Sequence, residues 1–179
     1  MRPAIQPVQI IRAGIKKGTS LITDRGRVAV ENLHPYDFVL TEGKRFTLVQ
    51  SIQKTKIRGI RVIKPVGLEE IYVEDKSYVC VREVHFSTET GHSIPVVGTP
   101  HWIPAKNINP SKHLLLSPYN PHSIHPYAFR NPPTSAYMDE MEQLWIQIET
   151  TKYVNDVYDV YRVVLEEDDG IAVESLILK

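Results

Sequence analysis

The sequence is short of cysteine, of net charge and of long apolar runs. Only Cys80 carries a thiol among 179 residues, so no disulfide can form within the chain and its stability has to come from an apolar core. A chain of this length has interior enough for one domain of ordinary size, or two small ones at most. Lysine plus arginine and aspartate plus glutamate stand at 21 each, which leaves no overall field to gather nucleic acid. Nucleic acid is therefore not the expected partner. No apolar run approaches the roughly 20 residues that cross a bilayer, and Met1 to Pro7 lacks the apolar stretch of a signal peptide. A soluble chain of the cytoplasm, with no membrane, is the expectation. A Gly-rich phosphate loop and a Ser-His-Asp motif are also missing, so no cofactor is expected.

Helical periodicity is the next absence. No segment keeps apolar residues at i, i+3 and i+4 through three turns; short apolar or alternating runs dominate instead, each closed by a turn signal. The pattern predicts an all-β chain. Its strands are Gln9 to Ala13, Ser20 to Thr23, Arg27 to Val30, Phe38 to Thr41, Phe46 to Lys56, Glu70 to Glu74 and Tyr78 to Phe86. Ser93 to Val97, His113 to Ser117, Leu144 to Glu149, Val157 to Leu165 and Ile171 to Leu178 complete the set. Asp24-Arg25-Gly26 and Glu42-Gly43-Lys44 place glycine between alternating runs, where a tight hairpin needs positive φ. Cys80, inside Tyr78-Val79-Cys80-Val81, reads as an inert core thiol.

Proline is abundant, with 13 residues, and it gathers in Pro118 to Pro133, where missing ladder donors forbid a central strand. Residues 118–143 are read as an insertion loop, with one or two helical turns over Tyr137 to Gln143. Low charge, Tyr119, Ile124, Tyr127 and Phe129, and a nearby Arg130 make this loop the expected surface for a protein partner or self-assembly. His113, His122, His125 and Cys80 supply ligand types for zinc, but their spacing matches no zinc pattern, and no metal is expected. The basic alternation Lys54-Thr55-Lys56-Ile57-Arg58-Gly59-Ile60-Arg61 suits an exposed strand edge guarded against pairing, with phosphate contact as its functional alternative.

Gly18-Thr19-Ser20-Leu21-Ile22-Thr23-Asp24-Arg25-Gly26-Arg27-Val28-Ala29-Val30-Glu31-Asn32-Leu33-His34-Pro35-Tyr36-Asp37-Phe38-Val39-Leu40 resembles the opening of a Hint domain, the fold of inteins and hedgehog processing domains. That family runs from a small-residue turn and a threonine, through a hairpin, to a Val-Glu-x-Leu step and a Gly-Asp-x-Val-Leu strand. Only the glycine departs, replaced by Tyr36. Trp102-Ile103-Pro104-Ala105-Lys106-Asn107-Ile108 is similar to the segment after the family's central histidine. Tyr158-Asp159-Val160 and Asp169-Gly170-Ile171-Ala172-Val173-Glu174-Ser175-Leu176-Ile177-Leu178 are similar to its last strands. The resemblance implies a pseudo-symmetric β horseshoe over residues 14–179, with an extension over 1–13.

It also implies positions for chemistry, and there the sequence departs. Splicing begins when a thiol or hydroxyl attacks the carbonyl just before it. The family's spacing from Thr19 lands on Gly14, which has no side chain. The histidine that assists the leaving nitrogen is matched by His92. Three residues before it, where the family has threonine, stands Glu89, with Thr88 beside it. The closing asparagine is matched by Lys179. The covalent machinery is thus expected to be lost, leaving Gly14, Thr88, Glu89, His92 and Lys179 as vestiges of a splice centre. The reading is a non-catalytic structural or protein-interaction module. Because such domains occur in viral and bacterial genomes, the resemblance adds a virion or other assembly as a setting. The alternatives are a processing domain whose nucleophile was removed at Gly14, and a nucleic-acid-binding β domain.

Overall fold

A computed structural model describes residues 14–42, 45–87, 94–118, 136–139, 141, 143–166, 170–173 and 176–179. Fourteen strands organise them: β1 (Gly14–Lys16), β2 (Ser20–Thr23), β3 (Gly26–Ala29), β4 (Phe38–Leu40), β5 (Phe46–Pro65), β6 (Ile71–Val73), β7 (Tyr78–Ser87), β8 (Ile94–Val97), β9 (His101–Pro104), β10 (His113–Ser117), β11 (Ala136–Met138), β12 (Leu144–Leu165), β13 (Ile171–Val173) and β14 (Leu176–Leu178). Helical pieces are short 3-10 turns, among them Val30–Asn32 and Ala105–Asn107, and no helix among the described residues is long and apolar enough to cross a membrane. The chain is all-β, as its alternation predicts.

Two long strands, β5 and β12, run antiparallel along most of their length, from Ile148 opposite Pro65 to Leu165 opposite Val49. Each changes partners along its course. β5 begins beside β4 and ends beside β6; β12 begins beside β10 and β11 and ends beside β1. That repeat of one pattern on two strands is the pseudo-symmetry. A single bridge, Ile15 to Val73, joins β1 to β6, so β1, β12, β5 and β6 close a circuit. Shifts of register at Ile148/Thr150, Val154/Val157 and Val164/Leu165 bend β12 along the way, as bulges do. Gly59 supplies the matching irregularity on β5: its φ is +86°, and the Tyr153 hydroxyl lies where a β-carbon would stand.

The main core holds Ile15, Leu21, Val39, Ile63, Val73 and Leu115 among others. A second cluster gathers Cys80, Leu114, Leu116, Trp145, Ala172 and Ile177. Cys80 is 6% exposed, in keeping with an inert core thiol. The hairpins foreseen at Gly26 and at 42–44 both form, as β2 with β3 and β4 with β5.

Four expectations are corrected. The single strand expected at Ile171 to Leu178 is instead two, with Ile171–Val173 pairing antiparallel to Leu176–Leu178. The strands expected at Leu144 to Glu149 and Val157 to Leu165 are one, and β5 runs on to Pro65. The polar stretch 150–156 fell outside the expected strands, yet its backbone groups are satisfied along β5. Tyr137 to Gln143 is not helical over its described residues. Ala136, Tyr137 and Met138 pair with Ile146, Trp145 and Leu144, because an isolated turn or two of helix is a poor competitor for a ready strand edge. Asp139 makes the reversal: Oδ1 accepts the N–H groups of Met141 and Gln143, and Oδ2 that of the Trp145 indole. Burial raises this carboxyl, but those three donors outweigh it and hold its pKa below the ordinary value. Finally, His101–Pro104 forms β9 against β7, a strand absent from the expected set. The expected strand Gln9 to Ala13 lies outside the described residues.

Candidate functional site

Gly14 opens β1, buried, with Arg162 as its partner across the ladder. Its N–H donates to Oε2 of Glu74 at 2.6 Å. Glu74 follows the last residue of β6 and is only 9% exposed. It also accepts two bonds from Arg162, Nη1 to Oε2 at 2.9 Å and Nη2 to Oε1 at 2.8 Å. Three donors therefore converge on one carboxylate, two of them in the parallel geometry that suits guanidinium best.

The room beside Gly14 is already taken. A β-carbon there would stand 2.6 Å from Val160 Cγ2, 2.9 Å from Val160 Cβ and 3.2 Å from Glu74 Oε2. Val160 is fully buried, and its Cβ is fixed to the β12 backbone, so any side chain at position 14 has to push strand from strand.

Lys179 stands at a different point of the same connection. Its N–H donates to the Tyr78 carbonyl, and the Tyr78 N–H to its own carbonyl, both at 2.9 Å. Its ammonium lies 5.2 Å from the Trp102 ring centre, a cation–π contact. Tyr78 is four residues after Glu74. The turn between them is held by Ser77 N–H to the Glu74 carbonyl, Ala105 N–H to the Ser77 carbonyl, and the Arg61–Asp75 ion pair. Gly14 and Lys179 are thus hydrogen-bonded to Glu74 and Tyr78, the residues at either end of the passage from β6 into β7. Thr88, Glu89 and His92 lie outside the described residues, as do Tyr119, Ile124, Tyr127, Phe129 and Arg130.

Glu74, Arg162 and Val160 escaped the sequence reading. Alternation places Glu74 opposite the core-facing Val73, where an exposed acid is the ordinary case. The available signal was Arg162, a lone cation between Tyr161 and Val163 in an apolar strand.

Away from this site, a cavity of about 200 Å³ opens between β4, β10 and β14, lined by Leu40, Thr41, Glu42, Leu116 and Ile177, with Pro118 also on its wall. Phe38 and Phe46, 42% and 49% exposed, stand nearby on β4 and β5.

Solved structures share this architecture. The DnaB intein from Synechocystis sp. PCC 6803 is similar over 93% of this chain and 96% of its own, with a TM-score of 0.61 at 10% identity. The DnaX mini intein from Spirulina platensis gives 0.57 at 16% identity, over 92% and 98%. A bacterial intein-like domain from Clostridium thermocellum gives 0.53 at 13% identity, over 94% and 98%. No protein-family model and no curated protein matches the chain. The fold is that of the Hint-type splicing domains, over nearly the whole chain.

Proposed function

We propose that this chain is a non-catalytic Hint-like module, serving as a structural or protein-interaction part of a larger assembly such as a viral particle. The observation that supports this reading is position 14: glycine stands where an acyl shift needs a thiol or hydroxyl, and Val160 fills the space beside it. Fold outlasts chemistry here. The partner surface proposed is the proline-rich stretch with Tyr119, Ile124, Tyr127, Phe129 and Arg130.

Intact mass of freshly expressed chain, with and without hydroxylamine or excess thiol, tests the loss of chemistry; one full-length mass is expected, and a fragment ending at Ala13 overturns it. Changing Tyr127 and Phe129 to serine tests the surface, with loss of association in size-exclusion chromatography and an unchanged β spectrum expected. The competing reading, a processing domain whose nucleophile was substituted at Gly14, is favoured by how completely the inteins' architecture is kept. It predicts that restoring cysteine at Gly14 restores cleavage.

A further inference from the structure

We infer that Glu74 and Arg162 form a clamp on the chain's own Gly14 N–H, and that this clamp, with Val160, closes position 14 to nucleophilic chemistry rather than merely leaving it without a nucleophile. The inference rests on the reading of Gly14 as the nucleophile's position, and adds that one restored side chain is not enough.

The acyl shift sets two demands. With a cysteine at 14, Sγ attacks the Ala13 carbonyl carbon and a C–S bond forms. The C–N bond breaks, and its electron pair goes to the nitrogen of residue 14. That nitrogen must then take up the proton lost by the thiol, becoming an amine. The clamp opposes both demands. Proton delivery gets no help from the group bonded to that nitrogen: its hydrogen points into Oε2 of Glu74, and both oxygens of that carboxylate already accept N–H donors. Placement of sulfur fails because the β-carbon that would carry it collides with Val160 Cβ and Cγ2. Relief requires β1 to leave β12, which also breaks the pairings of Ile15 with Tyr161 and Lys16 with Val160. Ile15 belongs to the main core, so that movement is opposed by burial as well as by hydrogen bonding.

The test uses the full chain in three forms. Wild type and Gly14→Cys are incubated with excess dithiothreitol and weighed. Both are expected to stay whole, the variant melting below wild type. Loss of residues 1–13 from Gly14→Cys alone overturns the clamp while leaving the proposed function of the natural chain standing; cleavage of wild type overturns that function itself. The third form, Glu74→Leu with Arg162→Met, removes the pair as a unit and keeps an apolar site. Here the Gly14 amide should exchange its hydrogen at least about tenfold faster than in wild type, while the Val79 amide of β7 keeps its protection. Equal Gly14 exchange in the two proteins overturns the clamp even if Gly14→Cys fails to fold.

Discussion

Arg162 and Glu74, 88 residues apart in sequence, meet in two hydrogen bonds of 2.9 and 2.8 Å and fasten β12 to the end of β6. Their side chains are 22% and 12% exposed, so the pair is partly screened and worth less than a fully buried one. Arg162→Met should cost on the order of 2 kcal/mol, chiefly by leaving the Glu74 carboxylate short of donors. Combining it with Glu74→Leu should recover much of that loss. Urea midpoints of the two singles and the double form the cycle that measures the coupling; an additive double would show that the two side chains act independently.

Tyr36 is the one non-glycine residue at positive φ among those described, at +73°, and it is 78% exposed. The left-handed conformation costs an ordinary residue roughly 1–2 kcal/mol, and so exposed a ring recovers little by packing. Tyr36→Gly should therefore stabilise the domain, by about 0.5–1 kcal/mol after glycine's greater unfolded entropy is allowed for. Thermal melting measures it. A lower melting temperature would mean that the ring contributes packing beyond what its exposure suggests.

His113 gives the fold a pH dependence. Its Nδ1 accepts the Asn109 N–H at 2.8 Å, which requires that nitrogen unprotonated, and burial, aided by Lys112, lowers its pKa against a partial offset from Glu83. The native value therefore lies below the unfolded value of about 6.5. Unfolded chains bind the proton first as pH falls, so His113's contribution is complete above that value and declines from there down to the lowered native value. The urea midpoint should drop between about pH 7.5 and 5.5, and His113→Asn should flatten the drop. An unchanged slope in the variant would assign it to other groups.

Cys80 should be chemically quiet. Burial first, then the nearby Glu42, push its thiol up to about 11, against smaller opposite effects of Arg82 and Lys179. Since the thiolate is the reactive form, iodoacetamide at about pH 8 should label the native chain roughly 100-fold more slowly than the urea-unfolded chain. Comparable rates would place the thiol at the surface.

Local chemistry settled much of this protein in the sequence itself. Alternating apolar residues set its strands, Gly26 set a hairpin through its φ of +99°, and the motif's glycine, replaced by Tyr36, marked a backbone position that does turn left-handed. Gly14 showed by its identity alone that no nucleophile stands there. Tertiary structure decided the rest. Polar residues 150–156, outside the strands that alternation marks, join β12 into one continuous strand only because β5 satisfies their backbone groups. Ala136 to Met138, good helix formers in part, became strand because the edge of β12 was at hand. Whether position 14 was merely vacant or filled depended on Val160, Glu74 and Arg162, which local periodicity ranks as ordinary strand residues. Their meeting is fixed by the circuit of β1, β12, β5 and β6. Contacts between segments so far apart in the chain leave no local pattern to read, because their energy is gained only once the sheet closes.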